Sequence, residues 1–180
     1  MVKDRENVPE GLPPFDAWQD AAREGQDARE VVSESETAAG QTSGEVSIAA
    51  ELLQAVIDAA REGVPNEACG LLVAPAYASE GGTPTRYVGV RNAAESPYRY
   101  MIDPQDQLKV WMELEDAGEV PWAIVHSHVA SLAVPSATDI GLAFFPDSLY
   151  VICSLAGDVP TVRAWSIREQ VVSEVTLAVI

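Results

Sequence analysis

Histidine is nearly absent from this chain: the 180 residues contain two. Cysteine is as scarce, with Cys69 and Cys153 far apart. That is too few for a disulfide scaffold and is compatible with a reducing compartment. Positive charge is short as well. Eleven Lys and Arg stand against 28 Asp and Glu, a formal net charge of −17 and a pI near 4.2. Such a surface repels phosphate backbones, which argues against nucleic acid as a partner. No apolar run reaches the roughly 18–20 residues of a membrane helix. The opening MVKDRENVPEGLPPF has no apolar stretch of signal-peptide length. The expectation is a cytoplasmic protein that contacts neither membrane nor nucleic acid. What is present suits a folded domain: 47% hydrophobic and 22% charged residues, in a chain long enough for one well-buried core.

Residues 1–45 differ from the rest. DAAREGQDAREVVSESETAAGQTSGE is acidic, rich in small residues and nearly free of aromatics. It has too little apolar area to offset its ordering entropy, so it reads as a tail. A short helix over 16–33, capped by Asp16, and a docking segment anchored by Phe15 and Trp18 are weaker readings of the same stretch. Residues 46–180 read as the folded domain. Ile48, Leu52, Val56 and Ala60 recur at helical spacing, with Leu53 and Ile57 widening the stripe. Ser47 is the expected cap of that helix, and Gly63 with Pro65 its stop. ACGLLVAP, TRYVGV, YRYMI and VPWAIVHSHV read as strands. DPQDQLKVWMELEDAG reads as a helix with Asp103 as cap, Pro104 at the first position and Gly118 at the end. Its expected inner side carries Leu108, Trp111, Met112 and Glu115. A short helix capped by Ser136 and three further strands complete an α/β (α+β) pattern, a sheet flanked by helices.

Both histidines fall in HSHVASLAVPSATD, residues 126–139. On a strand, positions i and i+2 share a face, with Cα atoms roughly 6.5–7 Å apart. His126 and His128 can therefore reach one Zn²⁺, while Ser127 points into the packing behind the sheet. A turn at Pro135 can return the chain beside them. Ser136 and Asp139, three apart, share a face of a helical turn, so Asp139 can be a third ligand. Two His and one carboxylate leave an open position, the mark of a catalytic rather than a structural zinc site. A base that is not itself a ligand is still needed. Glu67, in PNEACG between a helix and a buried strand, is a candidate, and its alternative is a helix-boundary charge. Ser136 can offer its hydroxyl to a developing oxyanion.

At these residues the sequence resembles the JAMM (MPN+) metalloprotease family. Its pattern is an upstream Glu, then His-x-His, seven residues, Ser, two residues and Asp. Glu67 and the run from His126 to Asp139 fit it without a gap. The resemblance covers about residues 46–180 and implies an MPN-type, cytidine-deaminase-like mixed sheet flanked by helices. It implies zinc as cofactor, His126, His128 and Asp139 as ligands, Glu67 as general base and Ser136 as oxyanion donor. PNEACGLL, NAAESPYRYMIDPQDQLKVW and EDAGEVPWAIVHSH further resemble the small actinobacterial branch. Its members work with ubiquitin-like sulfur-carrier proteins ending in Gly-Gly and cleave the bond joining the carrier's last glycine to a newly made cysteine. Val129 stands where many members have Pro, which fits that branch.

Tyr98, Arg99 and Tyr100 are candidates to line a groove for the carrier's tail, with backbone pairing to a sheet edge supplying recognition. Cys69, Cys153 and Trp111 read as core. Two other functions stay open from sequence. One is a peptidase that trims a carrier precursor or cleaves a ubiquitin-like conjugate. The other is a non-catalytic carrier-binding module with a structural metal. A homodimer is compatible with the sequence.

Overall fold

The structure, a computed structural model, describes residues 44–180. The tail reading, with its helix over 16–33, Phe15 and Trp18, therefore lies outside the described residues except for 44 and 45. Seven strands form one mixed sheet: β1 (Glu45–Ile48), β2 (Cys69–Ala74), β3 (Arg86–Val90), β4 (Val120–His128), β5 (Leu149–Ser154), β6 (Thr161–Arg168) and β7 (Val171–Val179). The order across it is β1-β7-β6-β5-β4-β2-β3. The β1/β7 and β4/β5 pairs are parallel and the others antiparallel. Among the described residues, three α-helices accompany the sheet: α1 (Ala50–Gly63), α2 (Pro104–Ala117) and α3 (Ala137–Gly141). Among the described residues, no helix is long and apolar enough to cross a membrane.

The central strands are buried on both faces, as their near-continuous apolar runs require. Every residue of β2 and β5 is buried, as are eight successive residues of β4 from Pro121 to His128. Val56 and Ala60 of α1 pack against Leu72, Ala123, Val151 and Cys153. Trp122 is wholly buried and satisfies its indole by donating to the Gly82 carbonyl at 2.8 Å. Cys69 and Cys153 are buried free thiols, and Trp111 packs against Phe145.

Three expectations are corrected. Ser47 does not cap α1: residues 45–48 are a strand running parallel to β7, and the cap position is Ala49 with no side-chain bond. Four ladder partners and the complete burial of Ile48 outweigh a single capping bond. YRYMI is not a strand. Only Ile102 makes a bridge, to Asn92, and closes the segment between them as a compact loop. The inner face of α2 is Gln107, Val110, Trp111 and Leu114, whereas Leu108 and Met112 are half exposed. The helix is rotated so that Val110 and Leu114, one turn apart, are buried, while Glu115 is exposed. Its ends are as expected: Asp103 accepts from the Gln105 and Asp106 amides, and Gly118 closes it in the left-handed conformation.

Candidate active site

The site is assembled by the register of β2 against β4. Cys69 stands opposite His126, and Ala68 and Ser127 continue the ladder. Ser127 donates its amide to the Ala68 carbonyl at 2.9 Å, and the Ala68 amide donates to Ser127 Oγ at 2.8 Å. Glu67 lies just before this pair, ahead of β2, and its carboxyl feels the charges of His128 and Asp139. Period-two alternation then puts His126 and His128 on one face of β4 and Ser127 on the other.

Asp139 comes to the same face from α3. Ser136 caps this short helix, its Oγ accepting from the Asp139 amide at 3.2 Å. The Ser136 amide donates back to Asp139 Oδ2 at 2.7 Å. This reciprocal box fixes the carboxylate's orientation. Asp139 Oδ1 lies 3.4 Å from His126 Nε2, and Oδ2 lies 3.4 Å from His128 Nε2. The two Nε2 atoms are 3.2 Å apart. All three side chains are buried.

These spacings fit a metal. Ligands about 2.0–2.1 Å from a tetrahedral Zn²⁺ lie roughly 3.3–3.4 Å from one another; the two Nε2 atoms are close to that, and each faces one oxygen of the Asp139 carboxylate at 3.4 Å. The donor chemistry fits as well. His128 Nδ1 lies 2.6 Å from the Leu132 carbonyl, which can only accept, so Nδ1 carries a proton and Nε2, once deprotonated, is the atom that can ligate a cation. His126 is held differently. Its Nδ1 is buried without a hydrogen-bond partner, and its ring stacks on Tyr100 with centroids 4.4 Å apart.

Electrostatics separate the two carboxylates. Burial pushes Asp139 up, but His126 and hydrogen bonds from both histidines and Ser136 outweigh it and hold the carboxyl well below its usual range. For Glu67, burial dominates. It is pushed up to about 7, with His128 pulling down and Asp139 pushing up. Two acids in one site with separated proton affinities suit one to hold a cation and the other to exchange protons.

The structure thus brings together Glu67, His126, His128, Ser136, Asp139 and Tyr100. Tyr98 and Arg99 are exposed, Tyr98 at 86%, on the loop that carries Tyr100. Sequence reasoning misses three residues. Asn92 binds the Glu67 carbonyl at 2.8 Å. Ser154 Oγ donates to the Ser131 carbonyl at 2.6 Å, and Trp165 Nε1 to the Ala133 carbonyl at 3.0 Å. With His128 on Leu132, the last two tie down three successive carbonyls of the loop between the metal-binding candidates. No local pattern announces such contacts, which span 23 to 32 residues of chain.

The family model for prokaryotic homologs of the JAB domain matches residues 49–168. A CysO-cysteine peptidase of Mycobacterium tuberculosis is 47% identical over 108 residues, 59% of this chain and 71% of that protein. A desampylase of Haloferax volcanii is 35% identical over 130 residues, 69% of this chain and 91% of that protein. In fold, the chain is similar to a JAB1/MPN domain protein from Archaeoglobus fulgidus, with a TM-score of 0.51 at 18% identity, over 76% of this chain and 98% of that one. This chain belongs to the prokaryotic JAB-domain family, the JAMM (MPN+) group whose motif it carries at Glu67 and from His126 to Asp139.

Proposed function

We propose that this protein is a zinc-dependent peptidase that hydrolyses the bond after the C-terminal glycine of a ubiquitin-like sulfur-carrier protein and releases cysteine. The observation that carries the reading is the buried convergence of His126, His128 and Asp139 beside a buried Glu67 whose carboxyl is pushed up to about 7. The 47% identity to a protein named CysO-cysteine peptidase supports the substrate class. A soluble protein of the cytoplasm is the matching location.

His126, His128 and Asp139 would hold the ion. Zinc in that place supplies a Lewis acid for the scissile carbonyl and lowers the pKa of water. Glu67, with a proton affinity near neutrality, takes a proton from the attacking water and delivers it to the leaving amine as the C–N bond breaks. Ser136 is exposed, and its Oγ already accepts one bond from the Asp139 amide. Its own hydroxyl proton remains to donate to the oxyanion. Tyr98, Arg99 and Tyr100 contact the tail. A Gly-Gly end offers no side chains, so backbone pairing at a sheet edge does most of the holding.

The test is a carrier–cysteine adduct incubated with metal-loaded protein and followed by mass spectrometry. Wild type is expected to release one cysteine, and chelation to stop it. Glu67→Gln should keep one equivalent of metal and lose turnover by about 10²–10⁴-fold, the usual worth of a general base. A near-wild-type rate in that variant overturns the mechanism. Similarity to a protein named desampylase favours a second reading, a peptidase acting on ubiquitin-like conjugates or precursors. Cleavage of a carrier joined to lysine, with the cysteine adduct left intact, would select it. Metal binding without hydrolysis of either substrate would select the non-catalytic module.

A further inference from the structure

Glu67 precedes β2, and its own peptide lies outside the regular ladder. Both of its main-chain polar groups are nevertheless satisfied, and by the same loop. The Glu67 amide donates to the Ser96 carbonyl at 2.9 Å. The Glu67 carbonyl accepts from Asn92 Nδ2 at 2.8 Å. The rest of the Asn92 amide is spent inside the loop: Nδ2 also donates to the Arg99 carbonyl at 3.2 Å, and Oδ1 accepts from the Ala94 and Met101 amides, both at 3.0 Å. Two donors and two acceptors are all used. The loop so organised carries the exposed Tyr98 and Arg99 and the Tyr100 ring stacked on His126.

We infer that Asn92 is a positioning residue for the reaction: its amide locks loop 93–101 to the main chain of Glu67, so that the groups contacting the substrate tail and the base move as one unit. The inference rests on the peptidase reading above. On the other side, Ser127 ties Ala68 to the histidine strand. Glu67 is thus clamped between the metal-binding strand and the loop, and Asn92 is the side chain on the loop side of that clamp. A displacement of about 1 Å in a reacting group costs on the order of 10²-fold in rate.

Asn92→Asp keeps the oxygen that accepts from the Ala94 and Met101 amides and removes both N–H donors, while Asn92→Ala removes all four bonds. In metal-loaded protein, Asn92→Asp is expected to lower kcat by on the order of 10²-fold, with KM within about threefold and one equivalent of metal retained. Hydrogen exchange should quicken together in peptides covering 66–69 and 93–101 and stay unchanged in β5. If only Asn92→Ala is impaired, the acceptors matter for loop folding alone and the inference fails. It also fails if Asn92→Asp turns over normally, or if exchange quickens in the loop without residues 66–69. Exchange reads the coupling even if no substrate is cut. Inactive wild-type protein therefore overturns the peptidase reading, whereas uncoupled exchange overturns the role of Asn92.

Discussion

A carboxyl group buried beside an imidazole and a second carboxylate is pulled in opposite directions, and at Glu67 the loss of hydration wins. The ionised form, the one that can accept a proton, appears as pH rises through about 7. A cation held by the neighbouring cluster favours that ionised form and moves the midpoint down. The rate kcat/KM should therefore rise with pH along an acid limb whose midpoint lies at or below about 7. The limb should vanish in the residual activity of Glu67→Gln. A wild-type profile flat from about pH 5 to 8 would contradict this assignment. His126, His128, Ser136 and Asp139 were legible as a set because one strand and one helical turn fix their geometry locally. Glu67 was legible only as a candidate with a helix-boundary alternative, since the β2–β4 pairing that brings it near the histidines spans some sixty residues of chain. Asn92 left no sequence signal, because its partners are carbonyls and amides that every residue type possesses.

The segment between His128 and Ser136 acts as an element although it has no regular structure. Ser154, His128 and Trp165 each hold one of three successive carbonyls. Trp165→Phe keeps an aromatic side chain but shrinks it and deletes the indole donor, leaving the Ala133 carbonyl without this partner in a buried setting. The expected cost is about 1–3 kcal/mol of stability. Metal affinity, read by competition with a chelator, should fall about 10- to 100-fold, as for other groups that orient ligands from behind. Unchanged affinity would show that the loop holds its shape without this bond. Element existence was mostly readable from periodicity and caps. The failures have physical causes. Leu108 and Met112 keep helical spacing with Trp111, yet the sheet meets the face one step away. YRYMI has strand-forming residues, but the Asn92 side chain takes its Met101 amide and Arg99 carbonyl, and Ser96 Oγ takes the Tyr98 amide.

At the scale of the molecule, the sheet begins at Glu45 and β1 runs beside β7 at one edge. The Ile180 amide donates to the Ile48 carbonyl, and the Ala50 amide to the Ile180 carbonyl, both at 3.0 Å. If residues 1–43 are a dispensable tail, their removal should leave the melting temperature and turnover unchanged. Removal through Ile48 takes away a paired strand and a wholly buried side chain, and the melting temperature should drop by several degrees. Equal effects of the two truncations would refute the placement of the boundary. The alternation along β4 also bears on how this lineage can change. An extra residue between Trp122 and His126 would turn the imidazoles into the packed interior and swing Ser127 toward the substrate side. Length variation is therefore disfavoured between Trp122 and His126, past the register shift at Leu72/Val73, but open to the turn of residues 155–160 between β5 and β6. Descendants of this sequence can diversify at the rim, while the inner strand keeps its residue count.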